Sequence, residues 1–310
     1  MDAHADCSSR SILVHLHIFY TEQWPELRQA LQAIPADHPW DLWVTMVEEH
    51  PDTAREIRSF KPQAHIEIVA NRGYDTAAFL EVLRRVELSR YRYCMKLHTK
   101  RTVPATHYRH SFRSPFNLGG GAWRRYLMSF ATPEHLPQCL HALEHGTGMV
   151  GDHRLIRRNT TKNDQGAIAG ARDLRRQLHL PNAKVEWVAG TMFICRAELL
   201  APLQQLQVRT EDFPPPDADH SVNLAHVVEA LLGGVITAQG QRIEDAYTPA
   251  YQRFLRRLAA YAGMVGRFLL FTKRTRKNRL LIKVCKIPVF SMKLPAEEDS
   301  TPLPCVEKRK

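Results

Sequence analysis

Apolar segments and helical segments alternate along the N-terminal part of the chain, and this alternation restricts the possible folds more than any other feature. Residues 12–20 form a continuous apolar run that contains two histidines, and residues 40–46 and 65–70 form two further runs rich in strand-forming residues. Pro25 and Pro51 stand between these runs, where helices would begin, because proline is well tolerated in a first helical turn. Strands alternating with helices favour a parallel sheet that is covered by helices and binds ligands at the carboxyl ends of its strands.

A glycine turn at residues 70–76 follows the third predicted strand and precedes a helix predicted over residues 76–88. The turn contains Asn71, Arg72 and Gly73, and Asp75 occupies the position of an N-cap. Backbone N–H groups at the start of a helix attract anions, and Arg72 adds a full positive charge. This stretch alone allows two interpretations, a phosphate-binding turn or an ordinary turn whose residues have local reasons to be there.

A fourth predicted strand, residues 91–101, ends in a cationic cluster. Lys96 and His98 are two residues apart and share a face of the strand, and Lys100 and Arg101 continue into the loop. A solvated loop would explain Lys100 and Arg101 equally well. It does not explain Lys96, because an ammonium group inside a buried strand requires a partner.

The remaining chain is less regular in its pattern. Residues 102–121 are predicted to form a long loop, which is typical of a lid, a binding loop or disorder, and the polar, irregular residues 152–183 are a second candidate for mobile cover. Two apolar strands separated by a glycine break are predicted over residues 185–196. A helix over residues 220–232 is predicted to stop at Gly233 and Gly234, with Val235 and Ile236 in a last strand.

The positive charge of the chain is concentrated near its C-terminal end. The formal net charge is +11, and residues 251–290 contain eleven Lys or Arg residues and no Asp or Glu. Residues 1–250 therefore sum to zero, because the last twenty residues carry four charges of each sign. A basic segment mixed with apolar residues favours association with an anionic membrane surface, and a partner-binding helix or a disordered tail are the alternatives. A nucleic-acid enzyme would spread its charge over its working face, so we expect no nucleic acid as partner.

The six cysteines form no Cys-x-x-Cys pair, and residues 1–6 lack the pattern of a signal peptide. We therefore expect a cytoplasmic protein on the inner face of the plasma membrane. The expected organisation is a disordered N-terminus (1–10), an α/β domain (11–245) and a basic amphipathic helical tail (246–310).

Seven short motifs, taken in order, resemble the rhamnan synthesis protein F family over roughly residues 12–236. They are His17-Ile18-Phe19-Tyr20, Asn71-Arg72-Gly73-x-Asp75, Lys96-Leu97-His98-Thr99-Lys100, Trp123-Arg124-Arg125-Tyr126, Gly190-Thr191-Met192-Phe193, Glu211-Asp212-Phe213 and Leu224-Ala225-His226 with Glu229. The resemblance implies a GT-A-like glycosyltransferase of polysaccharide synthesis with an inverting mechanism. The implied donor is a nucleotide sugar, commonly dTDP-L-rhamnose, and the implied acceptor is a glycan or its polyprenyl-linked precursor.

The resemblance also implies roles for individual residues. The implied catalytic residues are Asp212, preferred as base, Glu211 and His226. The implied donor-binding residues are His17, Asn71, Arg72, Gly73, Asp75, Lys96, His98, Lys100 and Glu229. The implied acceptor-binding residues are Trp123, Arg124, Thr191 and Met192. Related enzymes carry an Asp-x-Asp metal motif where this chain has residues 96–100, so we expect no divalent metal and stabilisation of the departing diphosphate by cationic side chains.

The chain departs from the expected family pattern at five positions. Ser221-Val222-Asn223 stands where Asp-Gly-Thr is expected, Ala230 follows Glu229 where an Arg is expected, and Arg92 occupies the place of an Asp before the aromatic residue of the fourth strand. If these positions recognise the sugar, the donor differs or activity is lost. The alternative interpretation is therefore a non-catalytic glycan-assembly or scaffold protein that keeps the fold.

Overall fold

A computed structural model of the protein describes residues 11–101, 116, 121–158, 164–215, 223–274, 279–284 and 287–293. The predictions for residues 1–10, for most of the loop 102–121 and for Ser221 and Val222 lie outside the described residues. The chain forms two compact units, Met1–Arg253 and Phe254–Lys310.

The first unit is built on a seven-stranded sheet in the order β3-β2-β1-β4-β8-β5-β9. Its strands are β1 (Ile12–Ile18), β2 (Trp40–Met46), β3 (His65–Ile68), β4 (Tyr93–His98), β5 (Thr147–Val150), β8 (Phe193–Arg196) and β9 (Arg242–Glu244). A separate two-stranded pair is formed by β6 (Ile156–Arg157) and β7 (Trp187–Val188). Strands β3, β2, β1 and β4 are mutually parallel, as are β5 and β9, whereas β8 runs antiparallel to both of its neighbours.

Seven α-helices lie within the described part of the first unit. They are α1 (Trp24–Gln32), α2 (Pro51–Phe60), α3 (Tyr74–Arg85), α4 (Ala122–Met128), α5 (Leu136–Glu144), α6 (Gln165–Gln177) and α7 (Leu224–Ala238). The central strand β1 is buried along its entire length, as expected for a parallel strand covered on both faces. The predicted α/β fold class, a mostly parallel sheet covered by helices, is confirmed.

Two predictions for the second half of the domain were wrong. Part of the supposedly irregular stretch 152–183 is helix α6, whose apolar residues, including Ile168 and Leu174, are buried. Helix α7 does not stop at Gly233 and Gly234 but continues to Ala238, so Val235 and Ile236 lie in a buried helix and not in a strand. The glycines serve close packing instead, because a Cβ on Gly233 would lie 2.1 Å from the carbonyl oxygen of Glu186 in the chain before β7.

The N-terminus of α3 also differs from the prediction. Gly73 is the N-cap, with φ +63°, and Asp75 lies inside the first turn. A Cβ on Gly73 would lie 2.4 Å from the ring of Phe213. The glycine is thus required twice, by its left-handed conformation and by the aromatic ring packed against it.

The second unit contains most of the basic tail. Helix α8 (Ala250–Leu269) enters it and is followed by an antiparallel sheet of β10 (Leu270–Arg274), β11 (Arg279–Val284) and β12 (Ile287–Lys293). The predicted helical tail is therefore helical only as far as Leu269, because the later segments are rich in β-branched and other apolar residues that favour strands. Among the helices described, none is both long and apolar enough to cross a bilayer.

Candidate functional site

A cavity of about 460 Å³ opens at the carboxyl ends of β1 and β4. The N-terminal residues of α3 and α7 approach the same edge, as does the chain just before β8, since β8 runs in the opposite direction. The cavity is lined by His17, Phe19, Tyr20, Asn71, Tyr74, Asp75, Thr76, His98, Thr99, Lys100, Arg101, Gly190, Thr191, Ala225, His226 and Glu229. Five of the seven motifs singled out in the sequence therefore meet at one place.

A buried ion pair lies at the base of the cavity. Lys96 Nζ and Thr191 Oγ1 both donate hydrogen bonds to Asp75 Oδ2. The Lys96 ammonium also donates to Thr191 Oγ1 at 2.9 Å and to the Thr191 carbonyl oxygen at 3.2 Å. Lys96 has no exposed surface and does not line the cavity, whereas Asp75 does. Lys96 thus supports the carboxylate from behind and has the partner that its buried position requires.

The charges around Asp75 keep it ionised. Burial alone would raise the pKa of Asp75, but the positive charges of His98, Lys96 and Lys100 outweigh burial and hold this pKa well below its ordinary value. Burial lowers the pKa of Lys96, and Asp75 opposes that change. The geometry favours the ammonium form, because three acceptor atoms surround the three donors of Nζ.

His98 lies between two backbone carbonyl groups. Its Nε2 is 2.7 Å from the Gly190 oxygen and its Nδ1 is 2.9 Å from the Thr99 oxygen. Because a carbonyl oxygen only accepts, both contacts are hydrogen bonds when the ring carries both protons. Burial lowers the pKa of His98, and Asp75, 3.9 Å from Nε2, opposes that shift.

The backbone on two sides of the cavity is held in an uncommon conformation. Thr191 has φ +52° and Tyr74 has φ +53°, whereas Gly190 has φ +84°. Left-handed conformations of residues other than glycine cost free energy and concentrate at functional sites. The glycine break at 190 predicted from the sequence is thus the point at which the chain turns into the cavity.

Helix α7 contributes His226 and Glu229, as the three-residue spacing predicted. Glu229 Oε1 accepts a hydrogen bond from the Gly190 N–H at 3.0 Å. Burial raises the pKa of Glu229, and the Gly190 N–H and the charge of Lys100 only partly offset this shift. His226 Nδ1 lies 3.1 Å from Asn223 Oδ1 within the capping box of α7.

His17, at the end of β1, is a neutral member of the lining. Its Nδ1 lies 2.9 Å from Thr45 Oγ1, and His15 Nε2 lies 3.0 Å from the same hydroxyl group. Burial lowers the pKa of His17 to about 4. His17 is therefore uncharged near neutral pH and contributes shape and hydrogen bonding.

Arg72 is directed away from the main cavity. Its Nη1 donates to the carbonyl oxygens of Phe213 at 2.9 Å and Glu211 at 3.3 Å. Arg72 and Gly73 line a smaller pocket with Pro214 and Pro215. The glycine turn thus faces two ways: Arg72 and Gly73 contact the chain around Phe213, whereas Asn71 and residues 74–76 line the cavity.

The predicted catalytic carboxylates Glu211 and Asp212 are both exposed and do not line the cavity. Asp212 Oδ2 accepts a hydrogen bond from the backbone N–H of Arg209 at 2.7 Å, which closes a single helical turn. The carboxylates that the described lining residues supply are instead Asp75 and Glu229.

Of the predicted acceptor-binding residues, Thr191 alone belongs to the described lining of the cavity. Trp123 is half-buried with Lys100 Nζ 5.9 Å from its ring centroid, and its indole N–H has no hydrogen-bond partner among the described residues. Arg124 forms an ion pair with Glu26 at 3.0 Å. Met192 is buried, and Thr191 is part of the ion-pair cluster. Ala230, one of the five departures from the family pattern, is fully buried.

Three aromatic residues of the cavity were missed by the sequence analysis. Phe19 and Tyr74 are 41% and 48% exposed, and the rings of Phe19 and Tyr20 meet edge to face. Phe19 and Tyr20 follow β1 directly, so the strand-end argument applied to β4 would also have found them. Tyr74 gave no such signal, because its position depends on the left-handed turn before it.

Two groups of described residues bring together three side chains of metal-binding type. His141, Glu144 and His145 are exposed on and just beyond α5, and Asp152, His153 and Asp245 are mostly buried. Neither group includes a residue of the cavity lining. Asp152 is already engaged by Arg154 and Ser129.

The arrangement provides three chemical functions in one concave site. Aromatic rings at its mouth offer faces for a planar base, Lys100 and Arg101 offer positive charge for phosphate, and Glu229 offers a carboxyl group that exchanges a proton. The buried ion pair of Lys96 and Asp75, together with Thr191, holds in place the residues that support these side chains.

Comparison with known families agrees with the resemblance seen in the sequence. The model of the family described as rhamnan synthesis protein F matches residues 2–117. This segment includes the three motifs at residues 17–20, 71–75 and 96–100, and over it the predicted resemblance is confirmed. The four later motifs lie outside the matched segment.

Two curated relatives, each named uncharacterized protein WxcX, come from Xanthomonas campestris pv. campestris strains B100 and ATCC 33913. Each is 26% identical over 251 residues, which cover 78% of this chain and 34% of the relative. The chain thus spans about a third of their length. A solved structure, glucosyl-3-phosphoglycerate synthase from Mycobacterium tuberculosis with Mn²⁺, uridine diphosphate and phosphoglyceric acid, aligns over 92% of this chain and 90% of its own at 14% identity and a TM-score of 0.36.

Proposed function

We propose that the protein is a glycosyltransferase of polysaccharide synthesis and that the cavity at the ends of β1 and β4 binds its nucleotide-sugar donor. The observation that carries this proposal is the convergence of exposed aromatic rings, cationic side chains and a partly buried carboxyl group at one sheet edge. Parallel α/β sheets bind nucleotides at this edge. The match of residues 2–117 to the rhamnan synthesis protein F family supports the same class of reaction.

The donor diphosphate would lie against Lys100 and Arg101. Both residues line the cavity beyond the end of β4. Positive charge placed where a diphosphate departs stabilises the developing negative charge. Lys96 would act indirectly, because its ammonium group is used by Asp75 and Thr191. That no divalent metal is needed stays a prediction, tested by turnover in the presence of a chelator.

The acceptor hydroxyl group needs a base, and Glu229 is the best placed carboxyl group. It lines the cavity, it is oriented by the Gly190 N–H, and its raised pKa brings it closer to that of an effective proton acceptor near neutral pH. Asp212, preferred from the sequence, would need the segment that carries it to move toward the cavity. We therefore propose Glu229 as base of an inverting transfer and keep Asp212 as the variant that tests the alternative.

We further propose dTDP-L-rhamnose as donor and a glycan or polyprenyl-linked precursor as acceptor. Both follow from the family resemblance. The reaction would take place in the cytoplasm at the inner face of the plasma membrane, because residues 251–290 carry eleven positive charges and no negative ones.

The test begins with binding. Thermal unfolding is followed with dTDP, UDP and GDP, then with their sugars, and stabilisation by a nucleotide is expected because a ligand that binds only the folded state raises the unfolding temperature. Release of the nucleoside diphosphate from the stabilising sugar, with acceptor present, then measures transfer. Absence of both stabilisation and turnover with every nucleotide sugar would refute the proposal.

A second candidate is a glycan-assembly protein that keeps the fold without transfer. The departures from the expected family pattern at residues 221–223 favour it. This candidate predicts a glycan ligand but no shift in unfolding temperature with any nucleotide, so stabilisation by dTDP alone would count against it.

A further inference from the structure

Helix α8 carries large apolar side chains in solvent. Phe254 is 66% exposed, and Leu255 and Leu258 are each 55% exposed. Leu258 follows these two residues by four and three positions, so all three share one face of the helix. Soluble proteins expose single apolar side chains routinely, but a contiguous group of this size marks an interaction surface.

Positive charge accompanies this face. Arg256 and Arg257 are exposed on the same two turns of α8. No Asp or Glu occurs anywhere between residues 251 and 290. A helix with an apolar face and a cationic remainder is suited to lie in the headgroup layer of an anionic bilayer, with its apolar side chains below the phosphates.

We infer that Phe254, Leu255 and Leu258 insert into an anionic membrane surface and anchor the chain there. The inference deepens the proposed membrane location and is independent of the transfer chemistry. It adds that the attachment is partly hydrophobic and assigns the residues that provide it.

Two other binding partners fit this face of α8 less well. A second copy of the chain would bring eleven further positive charges to the same place, and like charges oppose self-association. A nucleic acid would satisfy the arginines but would leave Leu255 and Leu258 in water, because single strands are held by aromatic stacking and duplexes by cationic contacts.

The test compares full-length proteins by co-sedimentation with vesicles. The vesicles contain phosphatidylcholine alone or phosphatidylcholine with phosphatidylglycerol at about three to one, which supplies the anionic surface. The test variant is Phe254→Gln, Leu255→Gln and Leu258→Gln combined, since glutamine keeps helix propensity. The matched control is Ile68→Gln, which changes an apolar side chain that is 48% exposed on β3. Circular dichroism and the unfolding temperature verify that each variant is folded.

We expect the wild type and Ile68→Gln to bind the anionic vesicles, and part of that binding to persist at about 0.5 M salt, where surface charges are strongly screened. The triple variant should bind at least about tenfold more weakly and lose the salt-resistant part, because insertion of apolar surface contributes free energy in addition to charge.

Five results would overturn the inference. Equal binding by the triple variant would show that the apolar face takes no part, and equal binding of the wild type to neutral vesicles would remove the role of charge. A concentration-dependent dimer that the triple variant loses would show that a second copy covers the face. Retention on DNA or RNA in place of vesicles would identify a nucleic acid. Failure of the wild type to bind any vesicle would also refute the membrane location. The transferase proposal does not depend on that result, because it is tested separately by nucleotide binding.

Discussion

The two pairs of charged residues that the sequence singled out occupy opposite environments. Asp75 and Lys96 lie 21 residues apart in the chain and form a buried ion pair with Thr191 beneath the cavity. Glu211 and Asp212 are adjacent, exposed, and engaged mainly in the turn that they belong to. A charged side chain at the end of a buried strand therefore predicts that other elements of the fold meet it there. An acidic pair in an exposed turn is explained by the turn itself.

The largest effect on stability is expected from substitution of Lys96. Lys96→Met should lower the free energy of unfolding by about 3–5 kcal/mol, because it leaves the Asp75 carboxylate buried without its cation. Urea unfolding of the variant measures the loss. The double variant Lys96→Met and Asp75→Asn should recover part of it, and a double variant no more stable than Lys96→Met would mean that the pair is not coupled.

Turnover should distinguish Glu229 from the exposed carboxylates. Glu229→Gln should reduce turnover by about 100-fold or more, as expected for loss of a general base. In the wild type, turnover should rise with pH as Glu229 loses its proton, and burial places this rise above the ordinary pKa of 4.5. The rise should be missing in Glu229→Gln.

Stabilisation by dTDP serves as the control for Glu229→Gln, since the variant should still bind the nucleotide. Near-wild-type turnover of Glu229→Gln, with a loss in Asp212→Asn, would return the role of base to the residue preferred from the sequence.

Gly73→Ala tests the turn that connects the two regions. It should lower the free energy of unfolding by about 1–3 kcal/mol, because the residue has a left-handed conformation and its new Cβ would lie against the Phe213 ring. Thermal unfolding measures the effect, with Gly240→Ala as control: that glycine has φ +74° but open space around it. Equal losses in both variants would show that the conformation alone matters.

The smallest effect is expected at Asp212. Asp212→Asn should change the free energy of unfolding by less than about 0.5 kcal/mol, since the side chain is exposed and asparagine can still accept from the Arg209 N–H. A loss above about 2 kcal/mol in urea unfolding would contradict its description as a surface turn residue.

The sheet, and the half of the site that lies at the ends of its parallel strands, could be predicted from the pattern of strands in the sequence. The carboxyl ends of parallel strands meet at one edge, so His17, His98 and Lys100 could be placed together from their strands alone. Thr191 and Glu229 were reached only through the family resemblance, because their approach depends on a left-handed turn and on the packing of α7.

Other features could not be predicted from local pattern. Arg72 stood beside a helix N-terminus, which indicates anion binding, yet its guanidinium group binds carbonyl oxygens of a segment about 140 residues later in the chain. The glycines of α7 read as a helix end because isolated glycine lowers helix propensity. Tertiary packing overrode that preference, since the helix lies too close to the β7 chain for a side chain at residue 233.

That close approach has a consequence for evolution and for engineering. His226, Glu229 and Gly233 follow one another at spacings of three and four, so the site and the glycine contact lie along one face of α7. A Cβ at residue 233 would collide with the backbone of residues 186–187, so only glycine fits at this point of α7. Substitutions that change the donor sugar, whether in evolution or in engineering, would therefore have to occur in the turns that face α7 across the cavity and leave α7 itself in place.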